Sequence, residues 1–421
     1  MGLSIGIDFG SAYTKAVYTT TGATTRMVPM RLNEPWTPSM VARNPRTGML
    51  EVGSSAIGAA AEDPKNAIVL VRRLLGRYYH EPAVREVRQR VAYEIVRQEI
   101  TGPGKAHVMV GDREFAPEEL AAAILEEVRR DAEAALGQPV TRAAVTVPAC
   151  SHFRQRYEIW LAARMAGLEV VRLVEAPVAA VYGFGMAPVA EGSRTVLVYD
   201  LGGSAFEVSV VRWIDGQAVL ESMDRDLWLG GEAFDQVIVD QVMAGLRTWQ
   251  PGVGERLRAD PRSMWKLKVE AERAKKLPSW MPSADVLVVG ALRGELDVDE
   301  EIQREECEAW IHPYIARTMT LVDQALKLGW PGAGEIEAVL LVGGPSCLPL
   351  VRRLLVEKFG EEKIKADVDP MLCNALGAAA VAARSAGVVC DDWLRKCPHC
   401  GALHRPWAEV CDQTGGPLGR G

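Results

Sequence analysis

Two segments, one in each half of the chain, share the same order of residue types: an apolar strand, an Asp at its end, a Gly-containing turn and a second strand. The first is SIGIDFGSAYTKAVYTT at 4–20, in which Asp8 precedes the turn. The second is TVLVYDLGGSAFEVSVVR at 195–212, in which Asp200 takes that place. A unit that recurs in this way indicates internal duplication of one half-molecule.

A third glycine turn follows the apolar strand AVLLV at 338–342. Gly343 and Gly344 form this turn, and a helix with an apolar stripe comes after them. We expect that helix to stop before Gly360. The turn therefore lies between a strand and the start of a helix, an arrangement that favours anion binding.

The rest of the chain alternates between strands and helices. Such alternation predicts an α/β fold with largely buried sheets. After about residue 386 the helical period ends and Gly, Pro, Trp and Cys become frequent, so we place a boundary there. The clearest helices are predicted at 117–136, 262–277 and 301–328.

Length and composition exclude several classes of protein. The chain has 421 residues, which predicts two or three domains. Its 48% hydrophobic and 24% charged residues exclude wholesale disorder. No apolar run reaches the roughly 18 residues that span a bilayer, and the N-terminus has no signal-peptide pattern. A net charge of −7 argues against a nucleic-acid partner. We therefore expect a cytoplasmic protein that binds neither nucleic acid nor membrane.

The chemistry of the three glycine turns is that of phosphate binding. Glycine lets the backbone approach a phosphate closely and turn its N–H groups toward it. Asp8 and Asp200, at the ends of the two phosphate strands, are placed to hold Mg²⁺ through water molecules, because Mg²⁺ prefers oxygen ligands and keeps its hydration. Two such hairpins facing each other would clasp a nucleotide polyphosphate and its metal.

Further motifs extend this pattern along the chain. They are NEPWTPSMV at 33–41, RRLLGR at 72–77, AAVTVPACSHFRQR at 143–156, LGGEAFD at 229–235, AERAKK at 271–276, LVGGPSCLP at 341–349 and DPMLCNALGAA at 369–379. Together with the duplicated units, they resemble the nucleotide-binding domain of the DnaK-type seventy-kilodalton heat-shock chaperones, within the actin-like ATPase superfamily, over roughly residues 3–384. LGGEAFD, VTVPA and AERAKK resemble the chaperone branch rather than actin, sugar kinases or cell-shape proteins.

The resemblance implies an actin-like fold of two lobes, built from duplicated ribonuclease-H-like units with inserted subdomains, around a deep cleft for ATP or ADP and Mg²⁺. The implied divisions are the first lobe at 1–188 with a first insert at about 35–112, the second lobe at 189–384 with a second insert at about 226–300, a return to the first lobe at 361–384, and a cysteine-rich tail at 385–421.

The resemblance also assigns site residues by position. Asp8 and Asp200 would attend the metal and the attacking water. The residues implied around the nucleotide are the first phosphate loop (Gly10, Ser11, Ala12, Tyr13), the second (Gly202, Gly203, Ser204), the segment that approaches from the second lobe (Gly231, Glu232, Asp235), the adenosine-holding residues (Glu272, Lys275, Lys276, Ser279) and the third turn (Gly343, Gly344).

The sequence departs from the family at positions that matter for hydrolysis. The family's catalytic Lys falls at Arg72, which keeps the charge but is planar and larger. Arg72 either faces the phosphates or is a surface arginine in a salt bridge. The family's Glu of an Asn-Glu-Pro segment falls at Ala176, and Glu175 stands one position early. Either Glu175 turns into the site and replaces the family's carboxylate, or the site lacks that carboxylate. We favour the second possibility.

Other departures lie in the second phosphate loop and beside the adenine. Ala205 replaces a Thr, so a hydroxyl is missing, and Glu207 replaces the following Asp. Cys347 replaces the Arg that stacks on adenine and Met371 a downstream Asp, which predicts a more apolar adenine face. The family's peptide-binding sandwich would not fit in the residues after Ser385, so we expect no peptide clamping.

The tail carries a pattern that is typical of zinc knuckles. Cys397-Pro-His-Cys400-Gly places two thiolates two residues apart. Cys411 would supply a third, and His404 a fourth ligand, with Cys390 or His399 as other possibilities. The alternative is a decayed ribbon with free thiols. A tail of this size would fold mainly through its metal. Because its charges cancel, we expect it to dock a protein rather than a nucleic acid.

We therefore predict a heat-shock-chaperone-like ATP/ADP-binding protein that acts as a nucleotide-dependent conformational switch with weak ATP hydrolysis and an unidentified protein partner. One alternative is a hydrolysis-dead scaffold that docks partners through its surface and tail. A third, less favoured prediction is an actin-like filament former, since long exposed insertions are not evident and the motifs resemble the chaperone branch. We expect a monomer. A ligand shifts such a switch only by its differential affinity for the two states.

Overall fold

The computed structural model describes residues 3–19, 25–29, 35–99, 103–185, 194–214, 217–249, 252–276, 281–328, 335–384, 395–396 and 403–404. The chain has mixed α/β content in several sheets, consistent with an actin-like ATPase fold. No helix in these ranges is long and apolar enough to cross a membrane.

Strands and helices alternate along most of the described chain. The strands are β1 (Leu3–Phe9), β2 (Tyr13–Thr19), β3 (Thr25–Met27), β4 (Thr37–Pro38), β5 (Val41–Arg43), β6 (Leu50–Val52), β7 (Ala67–Ile68), β8 (Ile95–Arg97), β9 (Ala106–Val110), β10 (Arg113–Phe115), β11 (Val140–Val147), β12 (Glu169–Glu175), β13 (Arg194–Leu201), β14 (Phe206–Ile214), β15 (Gln217–Asp226), β16 (Ser283–Gly290), β17 (Leu296–Gln303), β18 (Ala338–Val342), β19 (Ile364–Lys365), β20 (Arg395–Lys396) and β21 (Leu403–His404). The helices are α1 (Ser54–Glu62), α2 (Pro82–Arg88), α3 (Pro117–Leu136), α4 (Phe153–Met165), α5 (Ala176–Gly183), α6 (Gly231–Trp249), α7 (Val253–Ala259), α8 (Pro261–Lys276), α9 (Ala291–Gly294), α10 (Arg304–Leu328), α11 (Pro349–Phe359) and α12 (Cys373–Arg384).

Two sheets of similar topology form the base of the molecule. The first has the order β12-β11-β1-β2-β3, and β4 also pairs with β2. The second has the order β15-β14-β13-β18-β19. In each, a hairpin that carries an Asp at the end of its first strand lies beside a parallel strand: β1 pairs with β11, and β13 pairs with β18. The two units of the sequence therefore occupy equivalent places in the two sheets.

Helices pack on both sheets and bury their central strands. Helix α12 crosses β1, β2 and β11 and packs along α5, so the last helix of the described chain returns to the first sheet. Glycines allow this close approach, because a Cβ on Gly6 would lie 2.5 Å from the carbonyl oxygen of Ala375. Helices α10 and α11 pack on the second sheet, around a core that includes Tyr199, Phe206 and Ile315.

Two smaller bodies are inserted between the elements of the main sheets. The first insert contains the small sheets β6-β5-β7 and β10-β9-β8 with α1 and α2. The second contains α6, α7 and α8 against the β16-β17 hairpin, with its own core that includes Leu257, Leu267 and Val286. Helix α8 of the second insert packs against α1 of the first, so the two inserts meet.

The structure confirms one predicted helix and corrects another. Helix α3 spans Pro117–Leu136, as predicted. The helix predicted at 301–328 begins instead at Arg304, because residues up to Gln303 belong to β17. Val298 and Ile302 alternate with exposed acidic residues and are buried in the core of the second insert. Pairing with β16 thus overrides the local helical tendency of this acidic segment.

We expect Gly6→Ala to lower the free energy of unfolding by about 1–3 kcal/mol, or more, because its methyl group would meet the backbone of α12, which cannot yield. Gly58→Ala is the matched control. Gly58 is exposed in α1 with open space where a Cβ would stand, and Ala in a helix should stabilise by about 0.5–1 kcal/mol. Urea unfolding followed by circular dichroism checks both, and an unchanged midpoint for Gly6→Ala would contradict the close packing of α12 on β1.

Candidate functional site

The two glycine loops at the ends of the Asp-bearing strands face each other directly. The first joins β1 to β2, and the backbone N–H of Gly10 donates to the carbonyl of Asp8 at 3.1 Å. In the second, the N–H of Gly202 donates to the carbonyl of Ala205 at 2.9 Å. A Cβ on Gly203 would lie only 2.5 Å from the Cβ of Ala12. The structure therefore brings the predicted phosphate loops, one from each sheet, to opposite sides of one narrow space.

Asp8 is a buried carboxylate that the structure holds in its ionised form. Its Oδ2 accepts from Lys15 Nζ at 3.0 Å and its Oδ1 from the Thr146 hydroxyl at 2.7 Å. Burial acts to raise the pKa of Asp8, but Lys15 and Thr146 outweigh it and hold the pKa below its ordinary value. The sequence analysis did not single out Lys15; the available signal was a lysine placed within the predicted strand that follows the first glycine turn.

The pKa of Asp200 is shifted in the opposite direction from that of Asp8. Burial, followed by the negative charge of Asp8, raises the pKa of Asp200 to about 6, against the charges of Lys15 and Arg72 and a hydrogen bond from Asn374. Two carboxylates within electrostatic reach of each other disfavour double ionisation, and a divalent cation between them would relieve that cost.

Glu207 adds a third buried carboxyl to this region. It is the direct partner of Asp200 in the β13–β14 register. Burial and the charge of Asp200 raise the pKa of Glu207 to about 7, although the backbone at Ala149 donates a hydrogen bond to it. The sequence showed Glu207 only as a replacement for Asp, whereas the fold places it beside Asp200.

Two consecutive arginines each hold one phosphate loop. Arg72 Nη1 donates to the carbonyl of Phe9 at 2.8 Å, and its Nη2 donates to the Ser11 hydroxyl at 2.9 Å. Arg73 donates to the carbonyls of Ser204, at 2.7 Å, and Leu227. Burial lowers the pKa of Arg73 to about 10 and also lowers that of Arg72. Arg72 thus points at the first loop, and Arg73, which the sequence analysis missed, connects the segment after β7 to the second loop.

Glu175 is engaged away from the loops. Its Oε1 accepts from Arg156 Nη2 at 2.7 Å, in an ion pair that is partly exposed to solvent. Ala176, where the family carries its carboxylate, is the first residue of α5. The geometry therefore offers no carboxylate at position 176, and the neighbouring one already has a partner.

Residues that the resemblance assigns to the adenosine side form a polar bridge between the start of β2 and the end of α8. The Tyr13 hydroxyl donates to Glu272 Oε1 at 2.7 Å, and Lys276 Nζ lies 3.1 Å from the same hydroxyl. Lys276 also pairs with Glu272 at 2.9 Å. Burial opposes ionisation of Glu272, but the two lysines of this helix end, together with Tyr13, hold the pKa of Glu272 below its ordinary value.

The segment 231–235, at the start of α6, contacts the end of α8. Lys275 Nζ donates to the carbonyl of Gly231 at 2.9 Å and pairs with Asp235 at 2.6 Å. A Cβ at Gly231 would lie 2.9 Å from Lys275 Nζ, so a larger residue would displace this lysine. Burial raises the pKa of Glu232 to about 7, against the charge of Arg73.

The third glycine turn packs against the second phosphate loop. Gly343 has a φ of 84°, a conformation that favours glycine. A Cβ there would overlap the carbonyl oxygen of Leu201, and one on Gly344 would lie 2.9 Å from the Met371 sulfur. Met371 thus fills space beside the turn, while the Cys347 thiol is exposed.

Several predicted site residues fall outside the described residues. They are Ser279 of the adenosine side and Cys397, Cys400 and Cys411 of the tail. His404 lies in β21, whose backbone pairs with Arg395. Within the ranges that the structure describes, no group of three or more His, Cys, Asp or Glu residues is placed to hold a metal ion. The structure therefore gives no support to a zinc centre.

The arrangement fits a nucleotide with a hydrated Mg²⁺ ion. The loops leave no room for side chains at Gly203 and Gly231, as backbone-lined phosphate cradles require. Asp8 and Asp200 supply hard oxygen ligands of the kind that Mg²⁺ accepts through water. Arg72 supplies positive charge beside the first loop.

We expect Glu207→Gln to flatten the dependence of stability on pH between about pH 5 and pH 7. Folding raises the pKa of this carboxyl from 4.5 to about 7, so in that window the folded protein retains a proton that the unfolded chain has released. Its contribution to stability is therefore lost as pH rises through the window. Urea midpoints at several pH values, without nucleotide, check this. Glu301→Gln, at an exposed position on β17, is the control, and equal slopes for wild type and Glu207→Gln would contradict it.

Comparison with known families places these motifs in one group. The model of the family described as Hsp70 protein matches residues 4–393 of the 421 in the chain. The match spans both phosphate loops, the turn at Arg72 and the third glycine turn. It supports an ATP-binding, chaperone-like function, with ATP or ADP and Mg²⁺ as the implied ligands. The chain belongs to the Hsp70 family.

Proposed function

We propose that this protein is a nucleotide-dependent conformational switch that binds ATP or ADP with Mg²⁺ between its two lobes and hydrolyses ATP weakly. The observation that carries the proposal is the direct opposition of the two phosphate loops, where Gly203 of one lobe meets Ala12 of the other. A ligand held by both loops binds the closed arrangement better than an open one, and that difference is what shifts a two-state equilibrium. A protein partner would then respond to the angle between the lobes.

In this proposal the lobes divide as the resemblance implies, at 1–188 and 189–384, with 361–384 contributing to the first lobe. Asp8 and Asp200 would hold the metal through water, and the first and second loops would hold the phosphates through backbone N–H groups. When bound, Mg²⁺ neutralises phosphate charge. The ionised form of Asp8 is already secured by Lys15 and Thr146, so this carboxylate is organised before any ligand arrives.

The adenosine side would be held by Glu272, Lys275, Lys276 and Ser279, with Gly343 and Gly344 beside them. Tyr13 links the first phosphate loop to Glu272 at 2.7 Å, so the groups that bind phosphate and ribose are connected across the cleft. Glu232 would approach from the second lobe. A nucleotide that binds Glu272 would replace part of the bridge that Tyr13, Glu272 and Lys276 form. Nucleotide binding would thereby change the contact between the lobes.

Weak hydrolysis follows from the groups that are absent at the reacting phosphate. Ala176 and Ala205 carry no side-chain oxygen, and Glu175 is paired with Arg156. Arg72 is present, but it already bonds to Phe9 and Ser11. Removal of one preorganised electrostatic group costs about 10²–10³ in rate, and losses within one catalytic unit do not add simply. Binding depends more on the backbone loops and the two Asp residues, which remain.

A second candidate is a scaffold that has lost effective use of nucleotide. The observation that favours it is the set of bonds that already satisfies Arg72 and joins Tyr13, Glu272 and Lys276. Such bonds hold the lobes together without any ligand. Calorimetry separates the two: Mg²⁺-dependent binding at micromolar nucleotide supports the switch, and no binding at millimolar nucleotide supports the scaffold.

We expect Asp200→Asn to weaken binding of ATP with Mg²⁺ by at least about tenfold, since a neutral amide is a poorer partner for a hydrated divalent cation. The same substitution should leave binding measured in EDTA nearly unchanged. Asp299→Asn, at an exposed position of β17, is the control for loss of charge alone. Calorimetry with and without Mg²⁺ measures both. Equal affinities of wild type and Asp200→Asn in Mg²⁺ would contradict the assignment.

We expect Ala176→Glu, combined with Arg72→Lys, to raise the single-turnover rate of ATP hydrolysis by about tenfold or more, because a carboxylate and a compact cation return to the site. Position 176 opens α5, where the helix dipole favours a negative charge. Glu175→Gln should have little effect, since that carboxylate is bound to Arg156. Phosphate release in one turnover checks these rates. A slower double variant, or a large loss in Glu175→Gln, would contradict this account of the missing groups.

A further inference from the structure

We propose that two tryptophans of the second insert, Trp228 and Trp265, hold the cleft closed by packing against the first lobe, and that they set the rate at which nucleotide leaves. The part of this inference that concerns nucleotide release rests on the proposed function. The part that concerns closure of the lobes does not, because it can be tested on nucleotide-free protein. We call the two contacts the tryptophan locks. They act on different sides of the residues that would hold the ligand.

Trp228 is clamped between two arginines of the first insert. The guanidinium carbon of Arg73 lies 4.0 Å from the indole ring centre, and that of Arg90 lies 4.2 Å from it. Both distances are well inside the range of cation–π attraction, for which Trp is the strongest partner. The indole N–H donates to the carboxylate of Glu86. The ring also packs against the hydrophobic core of the first lobe, so every contact of this clamp crosses between the lobes.

The Trp228 clamp is joined directly to the second phosphate loop. Arg73, which stacks on the ring, also donates to the carbonyls of Ser204 and Leu227. Leu227 immediately precedes Trp228, and Ser204 belongs to the loop. If the lobes separate at this point, Arg73 loses the indole face and these two carbonyls together. Trp228 is therefore a positioning residue for Arg73, and through Arg73 for the loop.

Trp265 forms the second lock, at the top of the cleft. It lies on α8 and packs against a cluster of five alanines and one methionine in the first insert, where α8 meets α1. The alanine side chains leave a shallow surface that a flat indole can cover. The members of that cluster are Met40, Ala42, Ala56, Ala59, Ala60 and Ala67.

The Trp265 contact is apolar and can be reversed. Its indole N–H is buried without a hydrogen-bond acceptor among the described residues, and an unpaired buried donor disfavours the closed arrangement. Apolar packing of the ring thus stabilises the closed arrangement, and the unpaired N–H partly offsets that stabilisation, so the contact can break. Glu272 and Lys276, which bridge to Tyr13, lie farther along the same helix. Movement of α8 away from α1 would therefore carry away the adenosine side of the site.

Release of a nucleotide requires the lobes to part, so both locks must break first. Because their contacts stabilise the closed state and are lost on opening, they slow the opening step. Loss of either lock should speed release more than it speeds binding, because association begins from the open form. Loss of both should have the larger effect, since the two contacts share no side chain.

The test compares Trp228→Leu, Trp265→Leu and the double variant with wild type. Release of a fluorescent ADP derivative, chased with excess ATP in a stopped-flow instrument, should be about tenfold faster for each single variant and faster still for the double. Trp160→Leu is the matched control, since the Trp160 ring also lies beneath an arginine, Arg164, at 5.9 Å, but within one helix of one lobe. Arg90→Met provides a milder lesion at an exposed position in case Trp228→Leu fails to fold, and it should accelerate release by a smaller factor.

The structural arm uses nucleotide-free protein. Small-angle X-ray scattering should show a larger radius of gyration for the double variant than for wild type or Trp160→Leu. If wild type binds no nucleotide, the proposed function fails while the scattering still tests the locks. If nucleotide binds but release is unchanged in both Trp228→Leu and Arg90→Met, or if scattering shows no opening in the double variant, the locks are overturned.

Discussion

The burial of two carboxylates at the ends of equivalent strands is the constraint around which the rest of the site is arranged. Asp8 and Asp200 cannot both be charged in a dry interior without compensation. Lys15 and Thr146 compensate Asp8, whereas the pKa of Asp200 remains raised to about 6. A metal ion would complete this balance. The acidic pair therefore explains why a buried lysine stands in β2 and why Arg72 lies close to the loops.

The two lobes are held together in layers that differ in chemistry. At the bottom, Arg73 links the first lobe to the second phosphate loop. On the adenosine side, Tyr13 bridges to Glu272. At the top, Trp265 packs on an alanine-lined surface. Charged, polar and apolar contacts respond differently to salt, to ligand and to temperature. If the protein acts as the proposed switch, a partner that touches one layer would tune it without disrupting the others.

In the proposed site, the groups expected to bind nucleotide are retained, whereas side chains that the resemblance links to hydrolysis are replaced. Backbone loops and the Asp pair do not depend on the side chains at 176 and 205, so replacement by alanine there leaves the cradle intact. Glu175 and Arg156 form an ion pair beside the altered position. The proposed switch would need binding more than fast turnover, because its output would be the angle between its lobes rather than the product of hydrolysis.

The sequence by itself was sufficient for the α/β class, the repeated Asp–Gly units, the helix at 117–136 and the family, because these depend on local order and periodicity. It did not reveal that Lys15 would neutralise Asp8, that Glu207 would stand beside Asp200, or that Arg73 would reach Ser204, since those contacts join residues far apart in the chain or depend on strand register. The helix predicted from 301 failed at its start because pairing with β16 decided the conformation of Glu301–Gln303. Trp228 and Trp265 show the same limit: each lies in an ordinary helical or turn sequence, and only the packing of one lobe against the other gives it a partner.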